Sequence, residues 1–454
     1  MRRDLTQGSV LKNVVLFSLP YLLSYFLQTL YGMADLFIIG QFRGVESTTA
    51  VSVGSQVMHM LTVMLVGLAM GATVSIGQAV GGGDHRRASR CIGNTVTLFM
   101  GLSVVLTGVL LCLTRPIVAV MSTPAEAVEG TVAYLTICFL GIPFITAYNI
   151  ISSIFRGLGD SKSPMYFIAV ACVANIALDY LFMGALDLGP AGAALGTTLA
   201  QTVSVAVSLF VILRRDMGVR IQKGDLRPDG AVMKKILKIG IPVTLQDGFI
   251  QISFIIITII ANRRGLTDAA AVGIVEKIIG FLFLVPSSML STVSALGAQN
   301  IGAGKPKRAI ATLGYAIAIA TALGVAIVAA VQLTAEPLVA LFTDSARTDG
   351  ALVVQRGGQY IRGYVLDCML AGVQFSFSGY FCARGKSGLS FLHNCLSIIL
   401  VRVLRIWRAS TLFPDSLFPM GLASAGGSLL SDVVCLICFV WLMGQDKKQS
   451  GVPV

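Results

Sequence analysis

Charged residues are scarce in this sequence. They make up 12% of its 454 residues, against about 25% in an ordinary soluble protein. Apolar residues make up 55% of the chain, and the mean hydropathy is +0.82. So little charge argues against a cytosolic enzyme, and the many Leu, Ile, Val and Phe residues exclude a disordered chain. The composition instead predicts a membrane protein with many spans, whose 48 glycines suit close helix packing in lipid.

Metal-binding and disulfide patterns are also lacking. The chain has three histidines and no HExxH motif, so nothing indicates a metallohydrolase. Its nine cysteines lie almost entirely within apolar runs, and the one CxxC pair, Cys435 and Cys438, has no second pair to complete a metal site. We interpret the cysteines as small packing residues.

A nucleotide site is missing as well. The segment most similar to the P-loop pattern GxxxxGK[ST] ends at 302–306. The pattern would begin with a glycine at position 299, where this chain has Gln299, and Pro306 replaces its final Ser or Thr. Without an ATPase module, we expect an ion gradient to supply the energy for any transport.

Apolar runs between polar breaks predict twelve transmembrane helices. Lys and Arg concentrate at alternate ends of these runs, notably around 86–90, 214–238 and 305–308. The positive-inside rule then places both termini in the cytoplasm. The net charge of +12 faces the anionic leaflet and implies no nucleic-acid partner. The predicted helices are 14–39, 53–80, 91–113, 130–156, 164–186, 190–213, 235–262, 270–300, 309–332, 357–383, 389–413 and 419–443.

The sequence contains an internal repeat. Residues 78–83 reappear as 299–304 at an offset of 221, and Pro20 pairs with Pro242 at an offset of 222. Further along, Tyr134 pairs with Tyr360, Phe155 with Phe381 and Gly159 with Gly385, all at an offset of 226. An ordered series with a slowly drifting offset indicates two related halves.

The longest polar connection separates these halves. We therefore predict an N-lobe over 1–213, a cytoplasmic linker over 214–234 and a C-lobe over 235–454. Six helices in each half give both copies the same orientation, so the repeat is parallel, with its axis along the membrane normal. The predicted fold is an all-α integral membrane protein with two six-helix lobes, the architecture of an alternating-access transporter.

Carboxylates inside apolar runs are the strongest candidates for a functional site, because each costs about 2.5–3.5 kcal/mol to insert. Asp35 lies near the end of the first helix, and Asp179 shares a helix face with Asn175. The hydroxyl of Thr197 completes a set of hard oxygen ligands suited to Na⁺, while two close carboxylates equally suit a proton. Pro20, in the same helix as Asp35, marks a predicted bend.

The C-terminal half carries further charges in or near apolar runs. Snorkelling of the side chains to the membrane interface and ion pairing explain most of these charges equally well, so we do not predict a functional site from them. They are Asp247, Glu276, Lys277, Asp367, Arg402, Arg405, Arg408 and Asp432.

This pattern resembles the multidrug and toxic compound extrusion (MATE) family over nearly the whole chain. Each motif alone is weak, but their order and spacing together are specific. The motifs are LTQGS at 5–9, Pro20, LYGMADLFIIG at 30–40, FRGLGDS at 155–161, NIALD at 175–179, GAALGT at 192–197 and QNIGAG at 299–304.

The resemblance implies cation-coupled export of bulky, often cationic organic compounds. It implies that Asp35, Asn175, Asp179 and Thr197 form the N-lobe cation site and that Pro20 is the bending position. Gln28 and Asn149 resemble positions that line the drug cleft of the N-lobe in relatives.

Two departures from the family pattern lie in the C-terminal half. The glutamate that one branch carries in its seventh helix is absent from 249–251, which favours coupling through the N-lobe carboxylates. The eleventh helix is unusually basic at Arg402, Arg405 and Arg408, where relatives tend to have a proline.

The main hypothesis is therefore a secondary multidrug exporter of the plasma membrane, in antiport with H⁺ or Na⁺. Its expected partners are small organic substrates and membrane lipid, and it needs no cofactor besides the coupling ion. The nearest alternative is a lipid-linked saccharide flippase of the same bilobal plan, which would need cationic groups for a pyrophosphate. A membrane enzyme is disfavoured, because the sequence shows neither a nucleophile–base pair nor a metal cluster.

Overall fold

The computed structural model describes residues 4–215, 218–343 and 350–449, and within these ranges the chain forms helices and no strand. In this part of the chain, ten helices are long and apolar enough to cross a membrane, and two bent helix pairs raise the number to twelve. These twelve spans coincide with the twelve predicted helices. The prediction of an all-α membrane protein is confirmed.

The helices extend beyond the predicted apolar runs. The third, predicted over 91–113, occupies His85–Val120, because the side chain of Asp84 caps its start by accepting a hydrogen bond from the backbone N–H of Arg87 (2.9 Å). Its first turn therefore includes Arg86 and Arg87, two charged residues that hydropathy assigns to a loop. Capping satisfies backbone donors outside the apolar region, which hydropathy does not detect.

The helices pack into two compact units in the described chain. The first comprises residues up to Thr244 together with 298–306. Its spans meet along buried apolar faces, and buried Asp225 lies in the polar connection between residues 214 and 230. Its helices are α1 (Val10–Phe42), α2 (Val45–Gly81), α3 (His85–Val120), α4 (Val128–Leu140), α5 (Ile142–Gly157), α6 (Lys162–Asp179), α7 (Gly189–Arg214) and the first part of α8 (Gly230–Asn262).

The second unit comprises 245–297 and the described residues from Lys307 onward. Its largest core includes fully buried Tyr360 and Tyr364. The helix α10 spans Leu284–Gly302, and its residues up to Gly297 belong to this unit, as does the rest of α8. The other helices of the unit are α9 (Leu266–Leu282), α11 (Pro306–Ala340), α12 (Gly350–Tyr364), α13 (Asp367–Ala383), α14 (Ser387–Ser397), α15 (Val403–Leu412) and α16 (Phe418–Gln449).

Two spans that the sequence predicts as single helices, 130–156 and 357–383, are broken at corresponding places in the repeat. The α4–α5 pair bends by 50° at Gly141, and the α12–α13 pair bends by 43° just before Asp367. Adding the repeat offset of 226 to position 141 gives 367. The first break follows from Pro143, which has no backbone N–H to donate, and from Gly141, where a Cβ would clash with Thr198.

A second irregularity also occurs in both copies. The helix α6 continues as a π-helical segment over Tyr180–Ala185, and α14 and α15 are joined by another over Ile398–Arg402. Both segments lie in the fifth span of their repeat. Since π-helical turns are rare and frequently mark functional sites, the residues next to them are of particular interest.

A reciprocal contact relates residues that the sequence repeat pairs. A Cβ on Gly81 of α2 would meet the backbone of Gln299, and a Cβ on Gly302 would meet the backbone of Gln78. Gln78 and Gln299 are one pair at offset 221, and Gly81 and Gly302 are another. Such an exchange is the pattern of a two-fold contact between equivalent elements, and it requires the small glycine surface on both sides.

The connection before α8 is folded onto α3. The carboxylate of buried Asp225 accepts hydrogen bonds from the Ser89 hydroxyl (2.7 Å) and from the backbone N–H of Gln222 (2.9 Å). These hydrogen bonds, led by that from Ser89, lower the pKa of Asp225 below its usual value. The connection is therefore fixed by a group that stays ionised at neutral pH.

We expect Asp225→Asn to loosen this connection. The amide cannot reproduce both charge-assisted bonds, so local opening should rise about fivefold, the equivalent of about 1 kcal/mol. Trypsin cleavage after Lys223 measures this opening, with exposed Asp415→Asn as the control. In the wild type the same contact should hold throughout the neutral range. It should weaken as the pH falls below the usual pKa of an aspartate and be lost below the lowered pKa of Asp225, because protonation removes the charge. Equal cleavage of both variants at neutral pH would contradict this assignment.

Candidate functional site

Asp35 is a buried carboxylate in the C-terminal third of α1. Its side chain is 3% exposed, and its Oδ2 accepts a hydrogen bond from the hydroxyl of Thr197 on α7 (3.1 Å). The other oxygen, Oδ1, has no hydrogen-bond partner among the described residues. A charge in this position retains a large part of its desolvation cost.

Asp179 and Asn175 lie on α6 beside this carboxylate. Asp179 is fully buried as the last residue of α6, immediately before the π-helical segment, and it is close enough to Asp35 for direct interaction. Asn175, one turn earlier, interacts with Asp35 as well. Within the described chain, both oxygens of Asp179 and both polar atoms of the Asn175 amide are buried without a hydrogen-bond partner.

Gly196 makes room for the Asp179 carboxylate. A Cβ at this position of α7 would clash with Oδ1 of Asp179. The neighbouring residue, Thr197, is the one that donates to Asp35. One turn of α7 therefore supplies both the space and the hydroxyl of the site.

The four residues that the sequence predicts as the cation site thus lie together, on α1, α6 and α7. None of the ion pairs in the described part of this unit involves Asp35 or Asp179. The donor set is two carboxylates, one amide and one hydroxyl. Two close buried carboxylates are stabilised by a shared proton or by a cation with oxygen ligands. Among the described residues no group of three or more His, Cys, Asp or Glu could hold a metal ion.

The sequence reasoning missed several neighbours of the site. Tyr31 interacts with both Asp35 and Gln201, and Gln201 is a 95% buried amide whose Oε1 has no hydrogen-bond partner among the described residues. Tyr31 lies one helical turn before Asp35, and Gln201 lies one turn after Thr197. The four-residue spacing along each helix is the signal that could have found them.

The remaining predicted residues lie elsewhere in the first unit. Asn149 is 6% exposed, and its amide donates to the carbonyl of Ile145 on its own helix (2.8 Å). Gln28 is half-buried and interacts with Tyr148. Pro20 is buried within α1, which runs through it as one helix, and its carbonyl accepts a hydrogen bond from the Ser24 hydroxyl (2.7 Å). None of these contacts assigns a role in a cleft or a bend, so both remain predictions.

Comparison with known proteins identifies the family. The MatE family profile matches the chain twice, over residues 20–181 and 242–407. The chain belongs to the MatE family. The two matches begin at Pro20 and Pro242 and end at an offset of 226, so they reproduce the internal repeat. Both the predicted resemblance and the parallel-repeat fold are confirmed.

Individual relatives agree with the MatE assignment. The chain is 32% identical over 306 residues to the probable multidrug resistance protein YpnP of Bacillus subtilis, covering 67% of this chain and 68% of that protein. It is 24% identical to the probable multidrug resistance protein NorM of Thermotoga maritima over 97% of this chain and 94% of that one. A solved outward-facing multidrug resistance MATE family transporter of the MOP superfamily superposes with a TM-score of 0.91 at 24% identity, over 98% of each chain.

Members of the MatE family are transporters. The predictions of a multi-pass membrane transporter and of a chain that is not an enzyme are therefore confirmed by family membership. The similarity to the solved structure establishes the fold alone, because the sequence identity is low.

We expect Gly196→Ala to disturb the site. The added methyl group would displace the Asp179 carboxylate, and overpacking of this kind costs about 1–3 kcal/mol. A suitable control is Gly101→Ala on α3, where a Cβ meets open space. Thermal unfolding in detergent should show a lower midpoint for Gly196→Ala than for Gly101→Ala. Equal midpoints would mean that the carboxylate does not depend on this space.

Proposed function

We propose that this protein is a secondary multidrug exporter. It moves bulky, often cationic organic compounds out of the cell by alternating access, in antiport with H⁺ or Na⁺. The names of its relatives support multidrug export as the activity. Asp35, Asn175, Asp179 and Thr197 are the proposed coupling site, and the coupling ion is its only cofactor.

The buried carboxylate pair is the observation that carries this proposal. Asp35 and Asp179 interact with each other, and no ion pair in the described part of their unit includes either one. Without water in the bilayer interior, such a pair requires a proton or a cation for neutralisation. An ion that must bind and leave as the site changes its exposure is the basis of coupling.

The arrangement of the helices supports a mechanism for that coupling. Asp35 belongs to α1, whereas its hydroxyl donor and the second carboxylate belong to α7 and α6. Movement of α1 at Pro20 would therefore change the distance between the carboxylates. We propose that neutralisation favours one position of α1 and that ion release favours the other, with Gln28 and Asn149 lining the substrate cleft.

The distribution of Lys and Arg supports a plasma-membrane protein with both termini in the cytoplasm. Its proposed partners are small organic substrates and the surrounding lipid. The net positive charge would lie beside the anionic leaflet of the membrane, so we propose no nucleic-acid partner. A lipid-linked saccharide flippase remains the alternative, to be decided by experiment.

Ethidium efflux from membrane vesicles tests the proposed function. A proton gradient and a sodium gradient are imposed separately on vesicles that contain the protein. Efflux driven by one gradient establishes antiport and identifies the ion. If neither gradient drives efflux although the protein is inserted, the exporter proposal fails and the flippase becomes the better hypothesis.

Substitution of the carboxylates tests the proposed site. We expect Asp35→Asn and Asp179→Asn each to reduce gradient-driven ethidium efflux to the rate of protein-free vesicles, because an amide neither binds a proton nor supplies a negative charge. Both variants should still fold and insert. Glu129→Gln is the control, since this side chain is 75% exposed and its ion pair with Arg115 lies on the surface. Full transport by both aspartate variants would show that coupling occurs elsewhere.

A further inference from the structure

The basic eleventh span, which the sequence left unexplained, has two different faces. Arg405 and Arg408 are exposed side chains of α15. Arg402, at the end of the π-helical segment, instead extends into the second unit. Its guanidinium stands 5.0 Å from the ring centroid of Phe254 and donates a hydrogen bond to the Tyr364 hydroxyl.

Arg402 lines a small cavity inside this unit. The cavity has a volume of about 50 Å³, enough for a few water-sized groups. Its apolar lining includes three phenylalanine side chains, Phe254, Phe283 and Phe375. Its polar lining comprises Arg402, the amides of Gln374 and Asn394, and the hydroxyls of Ser397 and Ser428.

Arg402 is the single charged residue in that lining. Glu276 and Asp367 interact electrostatically with it, yet neither lines the cavity. Of the ion pairs that the described residues of this unit form, none includes Arg402. The acids therefore offset the charge of the guanidinium without occupying its donors.

At least one guanidinium donor remains unsatisfied. The Nε of Arg402 is buried without a hydrogen-bond partner among the described residues. A buried donor left in this state costs about 1–3 kcal/mol. The edge of the guanidinium formed by Nε and a terminal nitrogen fits the two oxygens of a carboxylate, which accepts two parallel hydrogen bonds.

We infer that this cavity binds the carboxylate of an aromatic substrate, with Arg402 as its anchor. The phenylalanine side chains provide an apolar wall for the ring next to the carboxylate. The inference rests on the proposed function and deepens it, because it adds aromatic acids and zwitterions to the cationic compounds. Carboxylate recognition belongs to the second unit, whereas the coupling carboxylates belong to the first.

The binding test uses wild-type protein in detergent without any gradient. Rhodamine B, an aromatic zwitterion with a free carboxylate, is the fluorescent probe, and anisotropy reports its binding. We expect 2-naphthoate to displace the probe at concentrations at least about tenfold lower than 2-naphthamide, because only the acid forms the charge-assisted pair with Arg402. Equal competition by the acid and the amide would overturn the inference.

Variants place the binding at Arg402. We expect Arg402→Met to weaken the binding of rhodamine B by at least about tenfold more than the binding of its ethyl ester, which has no free carboxylate. Arg402→Lys should have an intermediate effect, because an ammonium group lacks the planar fork. Arg405→Met, an exposed arginine one turn away, is the matched control. Retained ester binding shows that a variant is folded, and equal losses of rhodamine B binding for Arg402→Met and Arg405→Met would contradict the assignment.

The ester also separates this inference from the proposed function. It is a lipophilic cation, so gradient-driven efflux of the ester from vesicles reports export alone. If the ester is exported and 2-naphthoate competes no better than 2-naphthamide, the carboxylate site is wrong and the exporter stands. If 2-naphthoate competes selectively and neither gradient drives ester efflux, the site stands and the exporter proposal fails.

Discussion

The arrangement of the first unit depends on one constraint: a charged group inside a membrane must be neutralised by a proton or by a group of opposite charge. Asp35 and Asp179 are buried beside each other, and the donor that reaches Asp35 is a neutral hydroxyl. Gly196 leaves space for the second carboxylate, so α7 holds the pair without supplying a positive charge. The packing of α1, α6 and α7 thus brings two carboxylates together without a cationic side chain among the described ion pairs, as the proposed ion exchange requires. An arginine in the place of Thr197 would give a permanent ion pair and no dependence on an ion.

Comparison of the two repeats distinguishes features of the shared backbone fold from features that depend on individual side chains. Both halves carry a bent fourth span and a π-helical segment in the fifth, so these irregularities belong to the common plan. The residues at the π-helical segments differ in charge, since Asp179 precedes the first and Arg402 ends the second. One architecture therefore carries a carboxylate at one π-helical segment and a guanidinium at the other, so the chemistry at each place follows from its own side chains.

Sequence alone predicts the spans well because hydropathy is a local property and each span must be apolar over about 20 residues. It also selects Asp35 and Asp179, because charged residues are so rare in the apolar runs. The contact between Asp35 and Thr197 joins residues 162 positions apart, and the space at Gly196 exists only after three helices have packed. The break before Asp367 and the inward direction of Arg402 likewise depend on tertiary packing. Hydropathy therefore predicts one uninterrupted helix over 357–383 and leaves the basic stretch unexplained.

The two proposed sites differ in the charged groups around them, and this difference favours different tasks for them. In the second unit, Glu276 and Asp367 interact electrostatically with Arg402, so the buried guanidinium has acidic groups near it. In the first unit, none of the described ion pairs offsets Asp35 or Asp179. A permanently charged guanidinium is suited to holding an anionic group, because its protonation does not change with pH. Two carboxylates without a cation are suited to exchanging one. The response to ions should therefore originate in the first unit, and selectivity for acidic substrates in the second.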